Sequence, residues 1–383
     1  MMINTEKDKF SKKYFNNKEK KTTTSKIIKI LFFIVFVSFI INYILIFNVM
    51  KRINNISKRT KIFENFLKNK NIFSVNEKSE GLLDVEFDEK AKNKYIENQL
   101  HFCNSNDLFN DPEIENRINK VKASLNGISF DMYVYKNNDV VSKLISYARN
   151  WEATSTNYLI KSLDYYSQKK KLSKNDITIL DIGANVGWYS FYFSKMGYEL
   201  ISFEVSFTND YILKKNFCLN KDYKITIINK GIGLKEEKCL LRHPPWNEGN
   251  GIILCGDNNK ISGNSKEYLT ESVEFTKLSN YIPYLSKKNL ALIKLDVEGS
   301  EGKVINSGIE LITKYHVPFL FVEFNIDYLK MQGTDPKTLL EIFINNDYLI
   351  STYDFLSKRY SSIDQLLKIS RADLYIVYSK FLE

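Results

Sequence analysis

Apolar positions run almost without interruption from Ile177 to Ile182, whereas from Ile128 to Tyr135 they alternate with polar ones. The first pattern predicts a central parallel strand covered on both faces, the second a strand with one face against a core. Similar apolar runs recur at Glu199–Glu204, Ile225–Asn229, Leu290–Leu295 and His316–Phe324. Helical spacing separates them at Val186–Met196, Asp210–Asn220 and Lys303–Ile312. A further helix runs to Asn345 from Asp335-Pro336, an N-cap with proline in the first turn. Val140–Arg149 and Thr156–Tyr166 read as helices ahead of the first long run, and Tyr348–Thr352 and Ala372–Tyr378 as closing strands. Strands alternating with helices in this way predict an α/β fold, a doubly wound sheet with helices on both faces. Residues 239–278 break the rhythm, with short strand candidates at Lys238–Arg242, Gly251–Leu254 and Ser272–Leu278, and read as an insertion near the pocket.

The leader has a different pattern. Ile30–Met50 carries no charge and only Ser38, Asn42, Tyr43 and Asn48 as polar breaks. About 20 such residues span the roughly 30 Å hydrocarbon layer as a helix. A buried helix is rarely apolar on every face, and a signal peptide has a shorter apolar region before a small-residue cleavage site. One transmembrane helix is therefore expected to precede the sheet. Nine lysines before residue 30, against Lys51, Arg52, Lys58, Arg59 and Lys61 after it, favour a cytoplasmic N-terminus and a lumenal remainder. Residues 51 to about 110, rich in Lys, Asn, Glu and Ser, read as a stem. The expected organisation is a basic tail (1–29), a membrane helix (30–50), a stem (51–113) and a catalytic domain (114–383, core 176–380). The sequon Asn55-Ile56-Ser57 reads as a chance occurrence close to the bilayer.

Charge sharpens this division. The net charge is +10. Residues 1–70 hold 16 Lys and Arg against 4 Asp and Glu, and the remainder 39 against 41, so the basicity belongs to the leader. No nucleic-acid partner is expected, because such a partner asks for a basic face on the binding domain itself. Cys103, Cys218, Cys239 and Cys255 lack C-x-x-C spacing and the three histidines are scattered, so no metal centre is expected. In a lumen Cys239 and Cys255 would pair across a hairpin-like region, and in cytosol they would be free thiols.

Candidate chemistry gathers around Thr178–Ser190, T-I-L-D-I-G-A-N-V-G-W-Y-S. A dinucleotide turn brings glycine amides against a pyrophosphate. Here the order is D-x-G-x-N-x-G, with Asn185 where a glycine would sit and Asp181 at the strand end. S-adenosylmethionine carries a sulfonium and an ammonium and no phosphate, so it suits an acidic turn better. Glu204 ends the second strand 23 residues after Asp181, where a carboxylate can accept from both ribose hydroxyls. Asn229 falls where an adenine edge would lie. Lys294, Asp296 and Glu298 arrive at the same sheet edge, and charges on a core strand need a polar crevice to receive them. Within the insertion, His243-Pro-Pro-Trp246 reads either as a proline-stiffened loop or as a sugar-binding element beside the pocket.

Together, D-I-G-A-N-V-G-W-Y-S (181–190), I-S-F-E (201–204), I-N-K-G-I-G (228–233), I-K-L-D-V-E-G-S-E (293–301) and F-L-F-V-E (319–323) resemble the FkbM-type methyltransferases over about residues 120–380. The resemblance implies a Rossmann-like methyltransferase sheet and S-adenosylmethionine-dependent O-methylation of sugar or polyketide hydroxyls. It implies that Asp181, Gly183, Asn185 and Gly187 surround the methionine part of the donor, with Glu204 on its ribose. Asp296 and Glu298 match the signature block beside the reacting groups, and Glu152 corresponds to an upstream acid near the donor amine. Thr276-Lys-Leu-Ser-Asn280 departs from the family's T-L-D-D. An in-line displacement needs a base for a sugar hydroxyl, with Asp296 the first candidate and His243 the second. The anchored topology points to a glycan acceptor. The alternatives are a tethered methyltransferase of a lipid or small metabolite facing the cytosol, and a catalytically silent binding module.

Overall fold

The computed structural model describes residues 87–136, 139–244, 247, 249, 251–256 and 268–383. The expected membrane helix at 30–50 lies outside the described residues, as do the basic tail and Trp246. Among the described residues no helix is long and apolar enough to cross a membrane.

Among the described residues thirteen strands form three sheets. A hairpin pairs β1 (Ile118–Leu125) with β2 (Ile128–Tyr135). The central sheet contains β3 (Ile177–Ile182), β4 (Glu199–Phe203) and β5 (Ile225–Ile228). A small four-stranded sheet follows, made of β6 (Gly231–Ile232), β7 (Glu237–His243), β8 (Ile252–Cys255) and β9 (Leu269–Thr276). The chain then returns to the central sheet with β10 (Asn289–Leu295), β11 (Phe319–Asn325), β12 (Tyr348–Ser351) and β13 (Arg371–Tyr378). The order in the central sheet is β12-β13-β11-β10-β3-β4-β5, with β13 antiparallel to both its neighbours.

The strands are apolar throughout because successive side chains feed two separate cores. Ile177, Ile179, Leu200 and Leu292 point into one, with the helices Ala153–Lys170, Trp188–Lys195 and Phe207–Leu219 and the β1–β2 hairpin. Leu180, Ile182, Ile201, Ile293 and Leu295 point into the other, with the helices Glu301–Ser307 and Pro336–Ile344. The expected α/β fold with helices on both faces is therefore present. Boundaries shift locally. Gly187 in the left-handed region delays one helix to Trp188, and Gly308 splits the expected Lys303–Ile312 helix into Glu301–Ser307 and Glu310–Thr313.

The expected stem gives way from Phe87 onward. Phe87 donates its N–H to the Asn280 carbonyl and packs its ring on Tyr281 and Tyr284. A helix at Glu89–Asn104, capped by Asp88, then covers the outer edge of β5. Gln99 is 1% exposed. Its Nε2 donates to the Ile225 carbonyl at 3.1 Å and its Oε1 accepts from the Ile227 N–H at 2.8 Å, so one amide completes the ladder of an edge strand. Cys103 at the end of this helix is bonded to Cys218, and Cys239 to Cys255 across β7 and β8. The polar composition of 87–113 concealed this role, because a helix lying on a sheet edge needs only one narrow apolar stripe.

Replacing Gln99 with leucine strands one backbone N–H and one carbonyl in a dry site. It is expected to cost about 2–4 kcal/mol, read as a lowered urea midpoint with unchanged slope. An unchanged midpoint would remove the edge-pairing role.

Candidate active site

The carboxyl ends of β3, β4, β10 and β11 and the start of antiparallel β13 meet at one edge of the sheet. There they open into a cavity of about 340 Å³, in the size range of small-molecule sites. The small sheet and its loop cover it with Leu241, Asn247, Gly249, Gly251, Ile253 and Phe275. The insertion thus lies beside the pocket, as its broken rhythm suggested.

The floor is the turn after β3. Gly183 has φ +82°, and a Cβ there would lie 1.9 Å from the Asp296 carbonyl oxygen, so glycine is obligatory. Asn185 follows in the left-handed region, which asparagine tolerates. Its N–H donates to Glu204 Oε2 at 2.7 Å. Gly183 and Asn185 line the cavity, but Gly187 does not. A Cβ at Gly187 would lie 2.7 Å from Leu213 and Phe191, so this glycine serves helix packing and does not approach a ligand.

Asp181 departs from its expected place beside the donor. It is 1% exposed and lies beneath the turn, where Oδ2 accepts from Ser190 Oγ at 2.6 Å and Oδ1 stands 3.6 Å from Lys294 Nζ. Lys294 donates to the Gly183 carbonyl at 2.6 Å and stands 3.6 Å from Asp296 Oδ2. Burial alone would lower its pKa, but Asp296, Asp181, Glu152 and Glu204 raise it, so the ammonium stays charged. Asp181 therefore acts on the cavity through Lys294.

Glu152, Glu204, Asp296 and Glu298 all line the cavity. Glu152 sits in the left-handed region at the start of its helix and accepts from Tyr189 Oη at 2.5 Å. Burial pushes its carboxyl up to about 7, against the opposing pull of that hydrogen bond. Burial likewise raises Glu204 to about 7 although it accepts from the Ser206 and Asn185 N–H groups. Glu298, at φ +53°, reaches about 8 through burial and the charges of Asp296 and Glu301. Glu301 accepts from the Val297 and Gly299 N–H groups and shapes the loop that carries Glu298.

Two further expected residues stay outside the cavity. His243 ends β7 fully buried, with Nε2 3.2 Å from Glu271 Oε1, and Glu271 also accepts from the Phe207 N–H. His243 shares a face of β7 with Leu241, which lines the cavity, but at the strand's end its ring packs against Glu271 instead. Asn229 ties the loop after β5 by donating to the Glu204 carbonyl at 2.8 Å, and it is Lys230 that reaches the cavity. The departure at Thr276–Asn280 does not line the cavity either: Thr276 and Asn280 both donate to Glu236 Oε1.

Besides Lys230, three charged residues that sequence reasoning left out line the cavity, namely Glu323, Arg371 and Asp373. Arg371 Nη2 lies 2.7 Å from Glu323 Oε1. Burial and the neighbouring acids raise the pKa of Glu323, and burial and Asp296 raise that of Asp373. Glu323 was detectable as the acid ending β11. Arg371 and Asp373 required knowing that β13 runs antiparallel, which brings its first residues to the edge where the parallel strands end.

Residues 181–350 match the methyltransferase FkbM domain. The match supports methyl transfer and, with it, S-adenosylmethionine as donor. Comparison with curated proteins finds no match. Among solved structures, the T. thermophilus 16S rRNA N2 G1207 methyltransferase in complex with AdoMet and guanosine is 11% identical, with TM-score 0.32, covering 68% of this chain and 50% of that one. The bifunctional kinase-methyltransferase WbdD is 13% identical, with TM-score 0.31, covering 58% of this chain and 38% of that one. P. horikoshii TYW2 in complex with MeSAdo is 11% identical, with TM-score 0.29, covering 68% and 72%. The chain thus spans half or less of the first two, and at these values the likenesses bear on neither substrate nor partner.

Clustered buried acids make stability depend on pH. Glu152, Glu204, Glu298 and Glu301 bind protons more tightly folded than unfolded, where their pKa is 4.5. The stability they contribute is therefore complete below about 4.5 and is lost as pH rises through 7 to 8. In chelator, the melting temperature at pH 9 is expected to lie below that at pH 6, by on the order of 2 kcal/mol of stability. A melting temperature that rises over this interval would contradict the assignment.

Proposed function

We propose that the chain is an S-adenosylmethionine-dependent O-methyltransferase acting on a hydroxyl of a glycan or other carbohydrate-containing acceptor from a membrane-anchored position. The observation that carries the reading is the acidity of the cavity floor. The Asn185 N–H, which a pyrophosphate would need, is already taken by the Glu204 carboxylate. A phosphate would meet carboxylates there, whereas an ammonium or sulfonium would be attracted.

The residues present fit that donor. Glu152 would hold its ammonium, the Gly183–Asn185 turn would pass its methionine part, and Glu204 retains lone pairs for ribose hydroxyls. When bound, the donor supplies an electrophilic methyl carbon. The chain's own contribution is to orient the acceptor oxygen and exclude water, under the cover of the small sheet. Asp296, with its side chain 42% exposed and anchored by Lys294, stands where it can take the hydroxyl proton. The lining acids Glu298, Glu323 and Asp373 offer acceptors to the hydroxyls of a sugar. The apolar run at 30–50 supports anchoring, and the two disulfides support an oxidising compartment, as in a lumen.

The full chain incubated with labelled donor and a panel of glycans, lipids and proteins is expected to label the glycans. Labelling of lipid alone would replace the acceptor class, and no calorimetric heat with millimolar donor would sink the enzyme reading. In sealed vesicles, residues 51–383 are expected to resist added protease until detergent is supplied, and digestion of intact vesicles would place the domain on the cytosolic side.

A further inference from the structure

We propose that Asp296, Glu298 and Glu323 form a binding site for one divalent cation at the acceptor end of the cavity. One carboxylate oxygen from each lies within 4.8 Å of the others. That spacing is what three ligands of a single ion require, since oxygen donors sit about 2.0–2.6 Å from Mg²⁺, Mn²⁺ or Ca²⁺.

A cluster of acids would not suffice, but Glu323 adds an independent observation. It is 5% exposed and lines the cavity, and its Oε2 has no hydrogen-bond partner. An unpaired buried carboxylate oxygen is costly unless something positive meets it. The protein's own cations form no hydrogen bond to that oxygen. Arg371 approaches the other oxygen, Oε1, and Lys294 donates to the Gly183 carbonyl and is shared between Asp181 and Asp296 Oδ2. No hydrogen bond reaches the Glu298 carboxylate from the described residues, although its backbone holds φ +53° to carry it into the cavity. Strain at such a position is kept where function depends on it.

The donor set selects the ion's class. Three carboxylates and no nitrogen or sulfur suit a hard cation, with water or acceptor hydroxyls completing its shell from the open cavity. The other close grouping, Glu237 with Cys239 and Cys255, offers no thiolate because its cysteines are bonded to each other. The following role rests on the methyl-transfer reading. A cation bound here draws two neighbouring acceptor hydroxyls into one orientation and lowers the pKa of the reacting one. The oxygen then bonds to the methyl carbon, the carbon–sulfur pair leaves with sulfur, and the hydroxyl proton passes to the Asp296 oxygen not used on the cation.

Binding is tested without turnover, by loss of the six-line electron paramagnetic resonance signal of Mn²⁺ on titration with the full chain. One ion per chain is expected, displaceable by Mg²⁺. Glu323→Gln and Asp296→Asn should each weaken binding about tenfold or more, while Glu310→Gln, at an exposed position that does not line the cavity, leaves it unchanged. An undiminished signal at millimolar Mn²⁺, or equal affinity in wild type and Glu323→Gln, overturns the site. Circular dichroism checks each variant, and Glu298→Gln replaces either one that fails to fold. Mn²⁺ binding without methyl transfer to any acceptor would uphold the site and fail the enzyme reading, whereas methyl transfer at full rate in chelator would overturn the cation's role.

Discussion

One buried ammonium organises the carboxyl edge of this sheet. Lys294 lies on β10, the strand between β3 and β11, and its Nζ is shared by the Gly183 carbonyl, Asp181 and Asp296. Each contact fixes a different part of the site: the turn, the acid beneath it and the acid that faces the cavity. Removing the ammonium would leave Asp181 as an uncompensated charge at 1% exposure, a loss of about 3–5 kcal/mol for a broken buried pair. The same strand supplies the steric constraint, because the Asp296 carbonyl presses against the α-carbon of Gly183 and admits no other residue there. Charge and shape therefore lock β10 to β3 in one register, and the cavity exists because that register is held.

The rest of the fold serves to make that edge both rigid and covered. β5, which would be an open edge, is completed by the Gln99 amide, and Cys103–Cys218 staples the helix that carries Gln99 to the helix Phe207–Leu219. Beyond it the small sheet folds over the cavity, and Cys239–Cys255 ties the strands that bring Leu241 and Ile253 onto the roof. Between these two strands Asn247, Gly249 and Gly251 line the cavity directly.

Legibility in the sequence followed locality. The strands β3, β4, β5, β10 and β11 were readable because burial on both faces forces continuous apolar runs. The acids Glu204, Asp296 and Glu298 were readable because each closes such a run. What failed were inferences about direction. Asp181 and Gly187 occupy motif positions expected around a ligand, yet one points beneath the turn and the other packs against Leu213 and Phe191. His243 sits in the expected insertion, on the same face of β7 as the cavity-lining Leu241, yet at the strand's end its ring meets Glu271. Contributions from far along the chain were not visible either. Gln99 supports β5 across 126 residues, and Arg371 and Asp373 reach the edge only because β13 reverses direction. A one-dimensional pattern records that a residue will be buried, and it does not record which neighbour will bury it.

The acidity of the cavity now has a clear physical meaning. Glu152, Glu204 and Glu298 are all raised toward or above neutrality by burial, so the site as it stands holds protons that it would release to a better partner. A positive ligand provides that partner: it restores the ionised state that burial disfavours, and its affinity includes the relief of mutual repulsion among the acids. The cavity divides such partners by position. Glu204 accepts from the turn after β3 and Glu152 from Tyr189 on the helix that follows it, while one carboxylate oxygen each of Asp296, Glu298 and Glu323 converge near the ends of β10 and β11. A single polyanion would be rejected by both halves. On the proposed reading a methyl donor and a divalent cation would lie side by side here, with the acceptor entering between them and the small sheet.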